Sequence, residues 1–500
     1  METQSSSTPL LNGTEEAMIA DDGDYAPIRN LEATKKVIWI ESVRVWKIAV
    51  PIAFNLLCNF SIIPITSMFV GHLGNLELSA VAISLSVIGT FTFSLMLGMG
   101  SALETLCGQA FGAGQVHMLG VYMQRSCIIL FVACFILLPV FIFATPILKL
   151  LGQEDEIADL AGVFSIKTIP RLFSLAFIFP TQKFLQAQSK VNVLTLIGFM
   201  AVVTHVFLLW LFIYVLHWGT TGAAVACDMS FWLIALSQIV YVVGWCKEGW
   251  QGLSMLAFKD IWAFTRLSLS SGIMICFEIW YLMSLVLLTG HLHDAVIAVD
   301  SLSICMYYNG WEIMVFLGVN AAIGVRVSNE LGMGHPRTAK YSVYVTVTES
   351  LLLGILFMAV VLIARKYIAL PFTTSATLQE AVASLAYLLA ITMLLNSVQQ
   401  SISGVAVGGG WQALVAYINV GCYYIFGLPL GIVLGYVADL GVKGLWGGML
   451  GGIALQTLML LFLLYKINWN REVEQATERI RSWGGQDMKN DGAEKIEEHI

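Results

Sequence analysis

A carboxyl group near the middle of a long apolar stretch is the most chemically distinctive feature of this sequence. Glu278 follows Phe277 and is itself followed by Ile279, Trp280 and Tyr281. A charged carboxylate is costly in an apolar medium, so a carboxyl group there is suited to bind and release a proton. The alternative is a neutral glutamate that hydrogen-bonds to a neighbouring helix. We predict that Glu278 is a proton-coupling group.

Two further acids lie in the apolar stretch that follows. Asp300 shares a stripe with Tyr307 at helical spacing, and Glu312 lies deeper, directly after Trp311. Asp300 is close to one end of its stretch and could simply reach water. Asp300, Tyr307 and Glu312 are therefore candidates for the lining of a cavity.

Amides and one histidine complete the polar groups within apolar stretches. Asn396, Gln399 and Gln400 form a set that could bind substrate hydroxyls or line a permeation path. His205 is a possible proton relay, because histidine titrates close to neutral pH, or a buried hydrogen-bonding residue. The aromatic residues Trp280 and Tyr281 could stack on planar ligands, although lipid-facing placement is the usual role of such residues.

The elements that would position these groups are membrane-spanning helices. Of the 500 residues, 58% are hydrophobic and only 12% are charged, whereas a soluble domain has about 25% charged residues. Apolar runs long enough to cross a bilayer alternate with polar breaks. Only the fourth run is weak, because Lys167, Pro170 and Arg171 interrupt it. The predicted spans are 46–69, 79–101, 122–146, 161–182, 191–215, 222–245, 262–289, 296–319, 341–364, 382–405, 412–437 and 444–466.

Charge distribution predicts the orientation of the chain. Lysine and arginine residues are concentrated in the loops on the side of the two termini, which the positive-inside rule makes cytosolic. The net charge of −7 comes from two acidic polar tails, which carry −5 and −3 while the rest of the chain carries +1, and we predict the tails to be largely disordered. The predicted organisation is an N-terminal cytosolic tail, an N-lobe of six spans, a cytosolic linker, a C-lobe of six spans and a C-terminal cytosolic tail, at 1–42, 43–247, 248–261, 262–466 and 467–500.

An internal repeat relates the two lobes at a shift of about 220 residues. The shift covers six spans, so the two lobes keep the same orientation and form a parallel repeat around a V-shaped central cleft. The same shift places Asn59 opposite Glu278, with Asn55 one helical turn earlier on the same face. Asn55 and Asn59 could line the cleft or join helices to one another. The residue pairs that define the repeat include Gly98 and Gly318, Ala102 and Ala322, Gly112 and Gly332, and Gly114 and Gly334.

The sequence does not contain the motifs that several other functions require. The dipeptide Gly-Lys does not occur, so there is no Walker A loop for nucleotide hydrolysis. The nine cysteines form no CxxC pair and lie almost entirely in apolar runs, which does not support a metal site. No nucleophile constellation indicates an enzyme. The charge lies in acidic tails, which does not indicate nucleic-acid binding. The remaining classes of protein are a secondary carrier and a channel, neither of which uses a cofactor beyond an ion gradient.

Five sequence blocks stand out along the chain: GSALETLCGQAFGA at 100–113, FLQAQS at 184–189, EIWY at 278–281, RVSNELG at 326–332 and SGVA at 403–406. With these blocks the sequence resembles plant multidrug and toxic compound extrusion carriers, also called DETOXIFICATION proteins. Two shorter blocks, ICMYY at 304–308 and NWNREVE at 468–474, resemble the branch associated with vacuolar flavonoid transport.

The resemblance implies a V-shaped all-α fold of twelve transmembrane helices and the antiport of organic solutes against protons. It also implies that Glu278 is the proton-coupling group. Many members of the family carry an aspartate on the tenth span, where this chain has Asn396. That difference argues against a scheme in which Glu278 and a carboxylate on the tenth span share the proton. It leaves Glu278 as the main site, assisted by Asp300 or Glu312.

The sequence therefore predicts a class of activity without naming the solute. We expect a monomeric, proton-coupled antiporter that exports or sequesters flavonoid-like, alkaloid-like or xenobiotic solutes by alternating access. Its partners would be the solute, protons and the lipid bilayer, and the vacuolar membrane is favoured over the plasma membrane. The alternative is an anion pathway, such as a chloride pathway of the vacuolar membrane.

Overall fold

Long helices account for nearly all of the described chain. The computed structural model describes residues 23–483 except 29, 260, 291, 293 and 294. Eleven helices are long and apolar enough to cross a bilayer, and a bent pair supplies the twelfth span. The spans, in chain order, are Leu31–Val70, Asn75–Gly112, His117–Ile142, the pair Asp155–Lys167 and Ile169–Ala187, Val191–Val215, Gly219–Trp245, Ile261–Thr289, Ala295–Met333, Pro336–Ala364, Ala376–Gly409, Gln412–Val437 and Gly441–Lys466.

The fourth span bends by 49° at the position where the sequence weakens. The break falls at Thr168, and Pro170 occupies the first turn of the second segment, where a missing N–H costs no helical hydrogen bond. The carboxylate of Asp228 on the sixth span accepts a hydrogen bond from the backbone N–H of Arg171 at 3.1 Å. The polar interruption in the sequence is therefore a helix start that a neighbouring span caps.

The prediction of a disordered tail over 1–42 is wrong for the part that the structure describes. The first span begins at Leu31 rather than near residue 46. Ahead of it, Asp24 and Tyr25 are buried. The carboxylate of Asp24 accepts hydrogen bonds from the backbone N–H groups of Arg337 and Thr338, at 2.9 and 2.8 Å. This polar segment is ordered because a distant part of the chain satisfies its charges. Residues 1–22 lie outside the described residues.

The C-terminal segment also departs from the prediction of a disordered tail over 467–500. A terminal helix extends over Trp469–Ser482, and the side chain of Asn468 caps its start by accepting from the N–H of Asn470 at 3.2 Å. Its apolar face buries Ala476 and Ile480, so a strongly amphipathic helix is stable although its composition is polar. Residues 484–500 lie outside the described residues.

Two spans continue further than the hydropathy pattern indicates. The second span ends at Gly112 rather than near residue 101, and the eighth ends at Met333 rather than near residue 319. These extensions contain polar side chains such as Glu104 and Glu330, both buried against protein. A hydropathy pattern ends a span where lipid contact ends, whereas a helix that is buried in protein can continue.

The parallel repeat is visible as two equivalent contacts between the lobes. A Cβ atom at Gly98 of the second span would lie 2.7 Å from the Cα of Gly272 on the seventh. A Cβ atom at Gly318 of the eighth span would lie 2.6 Å from the Cβ of Ala53 on the first. In each lobe, one glycine packs directly against a helix of the other lobe. The two contacts are equivalent, as a two-fold relation between the lobes requires.

A second pair of equivalent glycine contacts lies at the end of the lobe interface that is nearest the two chain termini. A Cβ atom at Gly112 would lie 2.0 Å from the carbonyl oxygen of Asn329, and one at Gly332 would lie 2.1 Å from that of Gln109. The Gln109 amide also donates to the carbonyl of Gly408 on the tenth span at 3.3 Å. The two lobes are therefore tightly closed against each other at this side.

Candidate functional site

Three spans of the C-lobe meet at Glu278. The side-chain amide of Gln400 on the tenth span donates to Glu278 Oε1 at 2.6 Å, and the Gln399 side chain also lies beside this carboxyl. The Gln399 amide donates in turn to the hydroxyl of Tyr423 on the eleventh span at 3.4 Å. The structure thus brings together Glu278, Gln399 and Gln400, which the sequence singled out separately.

The eighth span supports this cluster through a residue that sequence reasoning missed. The Asn320 amide donates to the backbone carbonyl of Gln400 at 2.8 Å. Asn320 lies eight residues after Glu312, which places both near one face of the same helix. The helical spacing between Glu312 and Asn320 was the signal in the sequence that could have identified Asn320 as part of this polar cluster. Four spans, the seventh, eighth, tenth and eleventh, are therefore connected at the level of Glu278.

A rigid aromatic wall lies next to the cluster. Tyr281 stacks on Tyr423 with ring centroids 4.4 Å apart and planes at 6°, and its hydroxyl donates to the Met449 carbonyl at 2.7 Å. Gly427 and Gly452 leave the space that the Tyr281 hydroxyl fills, since a Cβ at these positions would lie 2.1 and 2.6 Å from it. Tyr281 is only 1% exposed and belongs to the C-lobe core in this arrangement.

Glu312 forms a second polar group between the eighth and tenth spans. It is 2% exposed, and neither of its carboxyl oxygens makes a hydrogen bond to another described residue. The Asn396 side chain lies beside it and donates to Asn309 Oδ1 at 3.0 Å. Asn309, one turn before Glu312, was not singled out from the sequence. A buried carboxyl group with only amide side chains beside it is costly to ionise.

Asp300 and Tyr307 do not join these clusters. Asp300 is exposed, which agrees with the alternative that it reaches water. Tyr307 is 57% exposed and stacks on Phe372, in the connection after the ninth span, with centroids 5.9 Å apart. Of the three polar candidates on the eighth span, Glu312 alone is buried.

Trp280 lies where the two lobes meet. Its ring stacks on Phe91 of the second span, with centroids 5.3 Å apart and planes at 4°. The indole N–H is buried and has no hydrogen-bond partner among the described residues. Trp280 thus offers both an aromatic face and a free donor two residues after Glu278.

The N-lobe candidates are packed among their own helices. Asn55 is buried against the fifth span, where a Cβ at Gly198 would lie 2.4 Å from its Oδ1. Its amide nitrogen and the Asn59 Oδ1 have no hydrogen-bond partner within the described part of the chain. His205 is fully buried, with Nε2 2.9 Å from the Thr66 hydroxyl and Nδ1 2.9 Å from the Ser230 hydroxyl. Its two ring nitrogens are therefore engaged within the N-lobe.

The chemistry of these groups is that of proton exchange and hydrogen bonding. Among the described residues, no cluster of histidine, cysteine and carboxylate ligands could hold a metal ion. The polar groups at Glu278 and Glu312 contain carboxyl, amide and hydroxyl groups on transmembrane helices. Such groups can exchange protons and form hydrogen bonds.

The chain belongs to the MATE family. The family model MatE matches residues 51–211 and 271–433, one segment in each lobe. The chain is 65% identical over 462 residues to Protein DETOXIFICATION 35 of Arabidopsis thaliana, covering 92% of this chain and 95% of the relative. It is 59% identical over 498 residues to Protein DETOXIFICATION 34 of the same plant, covering 99% and 91%.

Solved structures agree with this assignment. The crystal structure of the eukaryotic MATE transporter AtDTX14 matches with a TM-score of 0.85 and 33% identity, covering 89% of this chain and all of that one. The crystal structure of the Vibrio cholerae MATE transporter VcmN in the bent form matches with a TM-score of 0.75 at 16% identity, covering 88% and 99%, and supports the fold alone. The protein is therefore a twelve-helix secondary transporter of organic compounds and not an enzyme.

Proposed function

We propose that this transporter exchanges organic solutes for protons and that Glu278 carries the coupled proton. The observation that supports the proposal is the 2.6 Å hydrogen bond from the Gln400 amide to a carboxyl group within the seventh span. An amide can donate to a carboxylate and can accept from a carboxylic acid, so Gln400 can serve both protonation states. Binding and release of a proton at Glu278 would therefore not leave its neighbour without a partner.

Protonation of Glu278 would be transmitted through the side chains that surround it. A proton turns one carboxyl oxygen from an acceptor into a donor, so the amides of Gln399 and Gln400 must reorient. Gln399 is linked to Tyr423, and the backbone at Gln400 is linked to Asn320. Hydrogen bonds thus connect the seventh, eighth, tenth and eleventh spans, so a rearrangement at Glu278 would reach all four.

The arrangement of the lobes supports alternating access. They are closed on the side of the termini, where Gly112 and Gly332 contact the opposite lobe. We place both termini in the cytosol, so this is an arrangement closed to the cytosol. An acidic lumen would protonate Glu278 and favour one arrangement of the lobes, and solute binding from the cytosol would favour proton release. The vacuolar membrane supplies that gradient.

We propose Glu312, rather than Asp300, as the acid that assists Glu278. Glu312 is buried and has no hydrogen-bond partner among the described residues, whereas Asp300 is exposed. A buried, unpaired carboxyl group gains most from taking up a proton. Asn396 beside it provides an amide that can accept the hydrogen bond of the protonated form.

For the solute, the lobe interface favours planar aromatic compounds. The stacked rings of Trp280 and Phe91 lie between the lobes, and the indole N–H is free to donate. A flavonoid-like or alkaloid-like solute could stack on these rings and accept that hydrogen bond. Opening of the lobes would separate the two rings and expose their faces.

A second candidate function is anion permeation, such as chloride flux. The buried N–H donors of Trp280 and Asn55, without partners in the described structure, are the observation that favours it. An anion in a membrane protein is stabilised by such donors. The buried carboxyl groups of Glu278 and Glu312 oppose it when ionised.

Uptake into proteoliposomes under an imposed pH gradient tests the main proposal. We expect gradient-driven uptake of some members of a panel of planar solutes, and we expect Glu278→Gln to abolish it with folding intact. Glu380→Gln, an exposed change at the start of the tenth span, is the matched control. Unchanged uptake by Glu278→Gln would refute the role of Glu278. Chloride current that does not depend on a proton gradient would favour the anion pathway.

A further inference from the structure

A groove on the outer surface of the C-lobe combines apolar walls with a basic end. It has a volume of about 800 Å³ and lies between the start of the eleventh span, the end of the twelfth span and the first turns of the terminal helix. Its walls include Leu414, Leu458, Met459 and Phe462, which are 43%, 63%, 45% and 64% exposed. These side chains lie on transmembrane helices, so their environment is hydrocarbon.

The basic end of the groove lies at the depth of lipid headgroups. Lys466 is the last residue of a 26-residue span, whose length of about 39 Å exceeds the hydrocarbon core of a bilayer. Arg471 lies in the first turn of the terminal helix, and both side chains are exposed. Neither forms an ion pair with another described residue, and the Lys466 ammonium lies 5.6 Å from the centre of the Phe462 ring.

The one carboxylate at the groove is already engaged. Glu472 Oε2 accepts a hydrogen bond from the Trp411 indole N–H at 2.8 Å, which holds the carboxylate against the connection between the tenth and eleventh spans. The two cations at the open end therefore outnumber the single acid. A phosphate group next to an apolar chain matches both the charge of this end and the chemistry of the walls.

We propose that this groove binds one anionic phospholipid from the leaflet on the side of the termini. Its acyl chain would lie along Leu458 and Phe462, and its phosphate would contact Lys466 and Arg471. The proposal concerns a lipid site on the surface of the C-lobe, and it holds whichever solute the transporter carries.

The bound lipid would stabilise the contact between the lobes through the terminal helix. Arg479, two turns after Glu472, donates to Gln109 Oε1 of the N-lobe at 3.0 Å and to the Gly409 carbonyl at 3.3 Å. Beyond it, the Trp483 ring contacts Tyr122 of the N-lobe with centroids 6.4 Å apart. A lipid that fixes the start of this helix thus favours the arrangement closed on the side of the termini.

Native mass spectrometry of the full chain in detergent tests the proposal. Phosphatidylserine and phosphatidylcholine with identical acyl chains are titrated separately. Two basic groups at a membrane surface predict a preference for phosphatidylserine on the order of tenfold in the tightest binding event. The double variant Lys466→Gln/Arg471→Gln should lose that preference. The control Lys366→Gln/Lys443→Gln removes the same charge from exposed positions at the opposite ends of spans. This control should keep the preference for phosphatidylserine.

Two further measurements separate a groove-bound lipid from simple charge attraction. Leu458→Trp fills the groove without changing charge and should weaken binding of both lipids at this site. Glycerophosphoserine, the headgroup without acyl chains, should not compete. Equal binding of the two lipids to the unmodified chain, a preference retained by Lys466→Gln/Arg471→Gln, or full competition by the free headgroup would each overturn the proposal.

Discussion

The guanidinium of Arg326 donates to both carboxyl oxygens of Glu41, at 3.1 and 3.0 Å, and so joins the eighth span of the C-lobe to the first span of the N-lobe. Arg326 also pairs with Glu330 at 2.7 Å. Glu41 is fully buried and accepts a further hydrogen bond from the Tyr25 hydroxyl at 2.9 Å. This charged contact closes the lobes on the side of the termini.

Arg326→Gln should destabilise the protein strongly. Removing one partner of a buried ion pair costs about 3–5 kcal/mol, because the remaining charges are left uncompensated. Thermal unfolding in detergent measures the loss, with Lys47→Gln, an exposed change on the first span, as control. The double variant Glu41→Gln/Arg326→Gln should lose less stability than the two single variants combined. Additive losses would show that the pair does not act as a unit.

The Asp24 carboxylate accepts hydrogen bonds from N–H groups in the first turn of the ninth span and so caps that helix. Asp24→Asn should therefore lower the free energy of unfolding at neutral pH by about 1 kcal/mol. Burial alone would raise the pKa of Asp24, but hydrogen bonds from the Thr338 hydroxyl and from the N–H groups of Arg337 and Thr338 lower it below its ordinary value of 3.8.

The lowered pKa of Asp24 fixes the sign of the pH dependence. The stabilisation is complete above pH 3.8 and is lost as the pH falls through the lower folded-state pKa. The difference in melting temperature between Asp24→Asn and the unmodified chain should therefore shrink in acid. Glu32→Gln, exposed at the start of the first span, should show no such difference. A difference that grows in acid would contradict the assignment.

Gly324→Ala should disturb the lobe interface. A Cβ at Gly324 would lie 2.1 Å from Glu104 Oε1 and 3.2 Å from the Gly404 carbonyl oxygen. Glu104 is held by an ion pair with Lys183 and cannot move away freely. Overpacking of this kind costs about 1–3 kcal/mol.

The control for this change is Gly447→Ala, since a Cβ there meets nothing within 4 Å. It should be neutral or slightly stabilising, because alanine is the better helix former. Thermal unfolding and solute uptake of the two variants can be compared directly. Equal behaviour would mean that the Glu104 side chain has room to move.

Glu312→Gln should reduce the coupling of solute uptake to the pH gradient without abolishing transport. The change keeps the shape of the side chain and removes its capacity to exchange a proton. Uptake and proton flux measured together in proteoliposomes give the ratio of protons to solute, which should fall. Asp300→Asn, an exposed change on the same span, should leave the ratio unchanged. An unaltered ratio in Glu312→Gln would restrict proton coupling to Glu278.

Hydropathy and motif spacing were sufficient for the class of fold. The twelve spans and the weak fourth span rest on local hydropathy, the parallel repeat rests on similarity between segments about 220 residues apart, and the structure confirms all three. The span ends were less accurate, because the extensions to Gly112 and Met333 are buried in protein and carry polar side chains.

What the sequence by itself determined is the membrane class, the MATE resemblance and the acid of interest, Glu278. Only the tertiary structure decided its partners. Gln400 lies 122 residues from Glu278, and Arg326 lies 285 residues from Glu41. Residues that charge patterning assigned to a disordered tail, such as Asp24 and Glu41, are buried. The physical reason is that a polar or charged group is stable in the interior only when a partner satisfies it, and that partner is chosen by the packing of distant helices.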